Sequence, residues 1–561
     1  MRSTMQEFPL TVGGILRHAT QVHGDGQVVT ATVDGTRSES YTEVGLRAAR
    51  LANALRSLGI TGDQRVGTFQ WNNAEHLEAY LAVPSMGAVL HTLNIRLFPE
   101  QLTYIANHAD DKVVIVDDSL VDLLAGQLPT FESVEHVLVA GPEAAQANLD
   151  ALRESGKQVH VYDDLLAAAD ESFSWPDLDE RDAAAMCYTS GTTGNPKGVV
   201  YSHRSSYLHS MAVGLGIVGG LTWTDSVLPI VPMFHANSWG LAYAAAMTGA
   251  SLALPDRWLQ AEPLCRFMRE ARPTVSGAVP TVWNDVLSYL DQHRDIELSS
   301  HLRLVLCGGS AVPLSLQRAL EERHGINVVQ AWGMTETSPV ASVARPPLGA
   351  EGEDAWRYRG GQGRILPGVE GRIVGEAGDE LPRDGEAVGE LEVRGAWVTG
   401  AYYRDDDPAS GSDLDSDSDS GARFRDGWLR TGDVGKLDGL GYITLTDRSK
   451  DVIKSGGEWI SSVDLENALM AHPDVLEAAV VGIPDEKWQE RPLASVVLRE
   501  GAEVRPAELR DFLARSVARW QLPDAWAFIE AVPRTSVGKF DKKVLRRWYA
   551  DGELDVSTAH D

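Results

Sequence analysis

Residues 188–198 run Tyr-Thr-Ser-Gly-Thr-Thr-Gly-Asn-Pro-Lys-Gly, a loop crowded with hydroxyls and holding three glycines and one lysine. Glycine lets a backbone approach an anion closely, so successive N–H groups can cradle phosphate oxygens. Thr189, Ser190, Gly191, Thr192, Thr193, Gly194 and Lys197 are therefore candidate phosphate contacts. This is not a Walker A loop: Pro196 stands where its second glycine belongs, and Gly198 replaces the Ser/Thr that would hold magnesium. Further along, Thr335 and Glu336 set a hydroxyl beside a hard carboxylate oxygen, suited to a phosphate and a magnesium ion. Asp433 offers two acceptor oxygens, enough for both hydroxyls of a ribose. Taken singly, each has an ordinary alternative: a Gly/Ser turn, a helix cap at Thr335, a turn aspartate after Gly432.

In their order these segments resemble the motifs of the ANL superfamily of adenylate-forming enzymes, which holds acyl-CoA synthetases, adenylation domains and firefly-type luciferases. Residues 188–198 resemble its phosphate loop, and Gln330-Ala-Trp-Gly-Met-Thr-Glu-Thr337 its adenine-and-magnesium motif. Arg430-Thr-Gly-Asp433 resembles the ribose motif and Asp447-Arg-Ser-Lys-Asp451 the hinge; Lys454-Ser-Gly-Gly-Glu-Trp459 and Pro533-Arg-Thr-Ser-Val-Gly-Lys539 complete the set. The resemblance implies an α/β fold with a large N-terminal domain of helix-covered sheets (1–446), a hinge (447–451) and a small mobile α+β C-terminal domain (452–561).

The resemblance also implies ATP, Mg2+ and CoA, used in two half-reactions at one site. A carboxylate and ATP first give an acyl-adenylate and pyrophosphate; the small domain then turns, and a thiol attacks the acyl carbon. The implied nucleotide contacts are the loop residues above with Gly309, Gln330, Ala331, Trp332, Gly333, Thr335, Asp433, Arg448, Lys450, Lys454 and Trp459. Thr189 and Glu336 would hold the metal, and Lys539 would bridge the substrate carboxylate and the α-phosphate, where a placed ammonium stabilises developing charge. Lys450 matches the hinge position. Gly456 and Gly457 would line the tunnel for the pantetheine arm. Trp332 departs from the tyrosine usual at its position, so its hydrogen bonding to the nucleotide differs.

The acyl pocket is expected along Val231–Gly240, Val-Pro-Met-Phe-His-Ala-Asn-Ser-Trp-Gly. Amino-acid adenylation domains commonly place an aspartate just after the aromatic/His pair; Ala236 stands there instead, and a buried ammonium without a carboxylate would be costly. That favours an uncharged acyl tail. His235 resembles the family's switching aromatic/His position, and Trp239 resembles the gate of bacterial long-chain fatty acyl-CoA synthetases, with Val231, Ala236 and Gly240 beside it in the channel. Medium- or long-chain fatty acids follow from that likeness, with short thioether or branched acids used by close relatives. Two rivals stay open: an acyl-AMP ligase that loads a carrier protein, and a nucleotide-binding scaffold on a degenerate site.

Elements of suitable type surround these residues. Val44, Ala48, Leu51, Ala52 and Leu55 predict a helix over 42–58, capped by Thr42 and stopped at Gly59. Apolar runs at Val66–Phe69, Val89–Leu93 and Val113–Val116, separated by helix-length segments, predict βαβ units. Near the C-terminus, Ser461 and Ser462 precede a helix to Met470. Strands are expected at Ala478–Ile483 and Ala494–Leu498, and a helix over 506–520 with Leu509, Phe512, Leu513 and Val517 on one face. Gly214-Leu-Gly-Ile-Val-Gly219 matches a dinucleotide fingerprint in letters only, without a clean strand before it or an acid about 20 residues on.

Composition narrows the partners. The 561 residues carry 80 Asp+Glu against 50 Lys+Arg, a net charge of −30, which opposes nucleic-acid backbones and anionic lipid surfaces. Seven Asp and five Ser in 405–421 read as a solvated, disordered insertion in a surface loop. Three cysteines cannot build a disulfide framework, and no apolar run reaches the roughly 20 residues of a membrane helix. A cytoplasmic enzyme with small-molecule substrates is expected, and the resemblance adds a homodimer.

Overall fold

The computed structural model describes residues 1–141, 144, 148–189, 195–404, 423–448, 451–455, 458–485, 487–535 and 540–558, with Arg448, Glu458 and Trp459 described in their backbone alone. Three sheets organise them. A seven-stranded sheet from 65–202 runs Gln158–Val161, His136–Ala140, Asp111–Asp117, Arg65–Phe69, Val89–Thr92, Ala183–Tyr188 and Gly198–Ser202 in spatial order. All its neighbours pair in parallel except the last two, which form an antiparallel hairpin. The three apolar runs anticipated from the sequence are thus parallel strands, and their connections carry the helices.

A larger sheet of 14 strands changes character along its width. Gln27–Thr32, Ser251–Leu254, Ser226–Pro229, Val275–Ala278, Leu304–Gly308 and Val328–Gly333 are parallel. From Val340–Val343 onward, through Gly363–Ile365 to Tyr442–Arg448, Trp428–Leu437, Gly389–Gly395 and Val369–Val374, pairing is antiparallel. Helix Ala74–Ser85 is buried on every side. A helix with no solvent face must be packed on all sides. Its acids are answered accordingly: Glu75 by Arg37 and Glu78 by Arg47.

The third sheet takes all its strands from 453–558, with Val475–Asp485 and Gln489–Leu498 as a long antiparallel pair. Helix Ser462–Met470 is capped by Ser461, as its sequence indicates.

Two boundaries differ from expectation. The early helix spans Tyr41–Ser57 and its cap is Ser40, not Thr42. The Ser40 hydroxyl accepts the Glu43 N–H while Glu43 accepts the Ser40 N–H, a reciprocal box that Thr42 cannot form with its neighbours. The helix expected over 506–520 stops at Leu513; turn bonds from Ser516 and Val517 N–H groups to the Leu513 carbonyl end it. Leu509 and Leu513 are core residues, whereas Phe512 and Val517 are half-buried.

The helix His203–Gly214 is tied to the antiparallel part of the large sheet by one buried ring. His209 Nε2 accepts the Val340 N–H at 3.0 Å. Burial pushes this imidazole down to about 3. The unfolded chain takes up that proton below about pH 6.5 and the folded chain does not, so the stabilising role of His209 fades as pH falls through 6.5. His209→Gln should therefore be less stable than wild type at pH 7.5. Between pH 6.5 and 5 that deficit should shrink by at most about 1.4 kcal/mol per pH unit. Urea midpoints across this range check it; a deficit independent of pH contradicts it.

Candidate active site

The parallel strands of the large sheet end, at their carboxyl edge, in the segments that sequence analysis singled out. Ser226–Pro229 leads to 231–240, Leu304–Gly308 to Gly309, and Val328–Gly333 to Thr335 and Glu336. Ligands of open α/β sheets bind at this edge because the chain turns there and leaves a crevice.

The antiparallel hairpin of the seven-stranded sheet brings the base of the 188–198 segment to the same place. Thr189 N–H donates to the Lys197 carbonyl at 3.0 Å, and the Lys197 N–H donates back to Thr189 Oγ1 at 3.1 Å. These bonds close the base of the loop; Ser190, Gly191, Thr192, Thr193 and Gly194 lie outside the described residues. On the strand after the loop, the Tyr201 hydroxyl donates to the Thr335 carbonyl at 2.8 Å. The two sheets thus meet at the point where Thr335 and Glu336 leave their strand in a short 3-10 turn, Thr335–Thr337. Met334, rather than Thr335, stands at the cap of that turn.

Glu336 is only 4% exposed. Its Oε1 accepts the Tyr402 hydroxyl at 2.7 Å, and its backbone carbonyl accepts the Thr399 N–H at 2.8 Å. Among the described residues no group of three or more His, Cys, Asp or Glu could chelate an ion. One buried carboxylate beside a phosphate loop is nonetheless the donor set that Mg2+ uses when nucleotide phosphates and water supply its remaining oxygens. Glu336 and Thr189 fit that role.

Trp332 and Asp433 are far apart in sequence but share a hydrogen bond. The indole Nε1–H donates to Asp433 Oδ2 at 2.9 Å, and the Asp433 N–H donates to Thr431 Oγ1 at 3.0 Å. Asp433 sits in the strand Trp428–Leu437 opposite Arg448, so the aspartate is a strand residue rather than a turn residue. The departure from tyrosine at 332 thus has a consequence: the indole of Trp332 holds the carboxylate of Asp433. Gln330 Oε1 accepts the Val312 N–H at 3.1 Å, bracing the turn after Gly309.

The segment 231–240, expected from the sequence to line an acyl pocket, is built on an unusual backbone. Ala236, Asn237, Ser238 and Trp239 all have φ between 43° and 55°, and Gly240 continues at 71°. Left-handed backbone costs an L-residue roughly 1–2 kcal/mol, so a run of four non-glycines needs anchors. Ser238 Oγ donates to the Val231 carbonyl at 2.9 Å, and the buried Cys187 Sγ donates to Asn237 Oδ1 at 2.9 Å. Burial pushes the Cys187 thiol up to about 11, consistent with a donor. Asn72 clamps the approach, donating to the Pro229 and Val231 carbonyls and accepting the Met233 N–H. A Cβ at Gly240 would fall 2.6 Å from the His209 ring.

The turn projects Trp239, 8% exposed, over a floor of glycines. Its ring atoms lie 3.6–3.7 Å from where side chains would begin at Gly277, Gly308 and Gly309. His235 precedes the turn and is half-buried, whereas Val231 and Ala236 are buried beside it.

Lys450, Gly456, Gly457, Lys539 and the acidic stretch 405–421 lie outside the described residues. The flanks of Lys539 are informative: Arg534 and Phe540 form an antiparallel bridge, and Asp541 N–H donates to the Pro533 carbonyl at 2.7 Å. Burial raises the Asp285 carboxyl while nearby Arg534 opposes that shift. Asp285 belongs to the helix Pro280–Gln292, whose cap Val279 touches the Gly309 position. Arg534 thus lies near the helix Pro280–Gln292 of the large domain. Lys454 is exposed on the short strand Ile453–Ser455.

Residues 16–403 match the AMP-binding enzyme family and residues 464–539 the AMP-binding enzyme C-terminal domain. The chain belongs to the AMP-binding enzymes. It is 42% identical over 559 residues to the 3-methylmercaptopropionyl-CoA ligase of Ruegeria pomeroyi, covering 98% of this chain and 99% of that one. It is also 42% identical over 567 residues, and over the full length of both chains, to the medium-chain-fatty-acid–CoA ligase of Ectopseudomonas oleovorans. The fold resembles that of the anthranilate CoA ligase AuaEII in complex with anthranoyl-AMP, with a TM-score of 0.84, 25% identity, and coverage of 98% of this chain and 100% of that one. The ANL resemblance noted in the motifs is thereby established for the whole length of this AMP-binding enzyme.

Tyr402, Tyr201, Asn72 and Cys187 escaped the sequence reading, since none stands in a motif of chemical residues. The bond between Trp332 and Asp433 supplies the test of the nucleotide side. Trp332→Phe keeps an aromatic face and removes the donor, and a hydrogen bond to a charged group is worth about 1.5–3 kcal/mol. KM for ATP should rise about tenfold or more, and the preference for ATP over its 2′- and 3′-deoxy forms should narrow. An unchanged preference in steady-state kinetics would remove the indole from ribose recognition.

Proposed function

We propose that this AMP-binding enzyme is a fatty acid–CoA ligase: it activates a fatty acid with ATP and Mg2+ to an acyl-adenylate, then transfers the acyl group to CoA, releasing AMP and pyrophosphate. The observation that carries the reading is the apolar Trp239 ring over Gly277, Gly308 and Gly309, at the end of a strand whose neighbour leads to Thr335 and Glu336. No carboxylate stands at Ala236 to receive an amino-acid ammonium, so an uncharged tail suits the pocket. The medium-chain relative supports the chain class. The 3-methylmercaptopropionyl relative favours a second reading, a short thioether acid, because the Trp239 indole already occupies the apolar end.

In this reading the phosphate loop and Lys197 bind the phosphates, Asp433 and Arg448 take the ribose, and Trp332 packs on the adenine. Bound Mg2+, held by Glu336 and Thr189, would neutralise phosphate charge. Lys539 places its ammonium between the acid's carboxylate and the α-phosphate, which favours attack of carboxylate oxygen on phosphorus. The small domain, 452–561, then turns about 447–451, bringing Gly456 and Gly457 beside the thiol's path. His235 would move with this change. Three buried, unpaired cysteines suit a reducing cytoplasm. No described helix is long and apolar enough to cross a membrane. A homodimer is proposed from the family resemblance.

Mass-spectrometric product detection with ATP, Mg2+ and saturated acids of rising length, plus 3-(methylthio)propionate, with and without CoA, tests the reading. Acyl-CoA and AMP should appear together with an optimum at medium length. An optimum at the thioether acid selects the second reading, and acyl-AMP without acyl-CoA points to carrier-protein loading. In the same assay Lys539→Ala should lower adenylate formation by about 10²–10³-fold while sparing transfer from supplied acyl-AMP. Equal loss of both half-reactions contradicts the role given to Lys539.

A further inference from the structure

Tyr402 is a single side chain that touches both the metal-side carboxylate and the phosphate-loop lysine. Its hydroxyl donates to Glu336 Oε1 at 2.7 Å, and its ring centroid lies 4.9 Å from the Lys197 ammonium. Phe424 packs edge-on against the same ring at 5.3 Å, fixing its plane. The surrounding backbone repeats the pattern. Thr399 N–H donates to the Glu336 carbonyl and Tyr403 N–H to the Gly198 carbonyl, both at 2.8 Å. Thr399 Oγ1 donates to the Ala401 carbonyl at 2.7 Å, so the segment 399–403 is itself braced. Beyond it, Arg404 donates to the His108 carbonyl at 3.0 Å.

The chemistry of this arrangement is specific. A phenol hydroxyl donating to a carboxylate occupies one lone pair and orients the group, leaving the other oxygen and the remaining lone pairs available to a cation. The ring face meanwhile attracts an ammonium without cancelling its charge, as a carboxylate would. Opposite charges close together in a buried site tend to neutralise one another, and that would spoil both for a nucleotide. A tyrosine between them holds each by a different part.

We propose that Tyr402 is a positioning residue for nucleotide binding, its hydroxyl orienting Glu336 toward Mg2+ and its ring poising Lys197 toward the phosphates. The inference deepens the proposed adenylate-forming reading and rests on it.

Calorimetric titration of ATP into the full-length protein, at stepped Mg2+ and separately in EDTA, tests the two halves apart. Tyr402→Phe keeps the ring and loses the hydroxyl. The Mg2+ concentration giving half-maximal tightening of ATP should rise about tenfold, with the affinity in EDTA unchanged. Tyr402→Leu loses the ring as well, and should also weaken ATP binding in EDTA by about threefold. A Tyr402→Phe protein with the wild-type Mg2+ dependence overturns the inference. So does one that loses affinity equally with and without Mg2+, the pattern of a merely structural residue. Wild type that binds no ATP would sink the nucleotide reading itself, whereas wild-type binding with a Mg2+ dependence that Tyr402→Phe shares would sink this inference alone. Because Phe retains the buried ring, the near-ultraviolet circular dichroism of Tyr402→Phe should match that of wild type.

Discussion

A carboxylate held almost wholly out of water is the constraint around which this site is arranged. Burying Glu336 costs free energy unless its oxygens and its backbone are met by donors. The answer comes from two regions distant in sequence: from one, Tyr402 meets the side chain and Thr399 the backbone carbonyl; from the other, Tyr201 meets the neighbouring Thr335 carbonyl. Each of these donors belongs to an element that does something else. Tyr201 lies on the strand that closes the phosphate loop, and Thr399 and Tyr402 lie on the segment that reaches back to Gly198. Meeting the needs of one buried acid thereby docks the phosphate loop onto the large sheet. The cost is turned into alignment.

A second cost is met in the same manner on the acyl side. Four consecutive residues in left-handed backbone are tolerated because Asn72 fixes the approach, Ser238 bonds back to it, and Cys187 holds Asn237. Cys187 sits one strand position before Tyr188, at the start of the phosphate-loop segment. The turn that carries Trp239 and the loop that would carry phosphate are therefore fastened to the same strand. Strained backbone persists at sites where the surroundings over-determine it, and here the surroundings include the strand Ala183–Tyr188.

Much of this was legible in the sequence, and the reasons are physical. The parallel strands near 66, 89 and 113 show as short apolar runs because both faces of a covered parallel sheet are buried. The 188–198 loop, the Thr335–Glu336 pair and Asp433 stand out because they fall, in order, in short segments that resemble a family's motifs. Tyr402 and Tyr201 do not show, since a tyrosine at those positions is indistinguishable from a core aromatic until folding brings Glu336 and Thr335 to its hydroxyl. The indole bond of Trp332 spans 101 residues and has no local signal at all. The misplaced cap at Thr42 was of another kind: Ser40 and Glu43 are a readable pair, but the apolar period alone points two residues further on. The helix expected to reach 520 failed because periodic apolar residues at 512 and 517 are only half-buried, too little to extend it past Leu513.

Asp447 and Asp451 show how the small lobe is fastened where it follows the large sheet. Asp447 Oδ2 accepts the Ser462 N–H at 2.8 Å, and Asp451 accepts from Arg546 at 2.8 Å. Lys542, one helical turn before Arg546, pairs with Glu466 at 2.8 Å. Both carboxylates that bracket residues 448–450 are thus bonded to helices of the 453–558 lobe. A bond donated to a carboxylate in a buried, charged network is expensive to break, because it would leave the acid unsatisfied. Asp447 also belongs to the large sheet, paired there with Val434, so it is held from both parts, whereas the Asp451 and Lys542 bonds lie on the lobe side. A turn of the lobe against the large sheet, as proposed above, would therefore have to give up the Asp447–Ser462 bond while the bonds on the lobe side could persist.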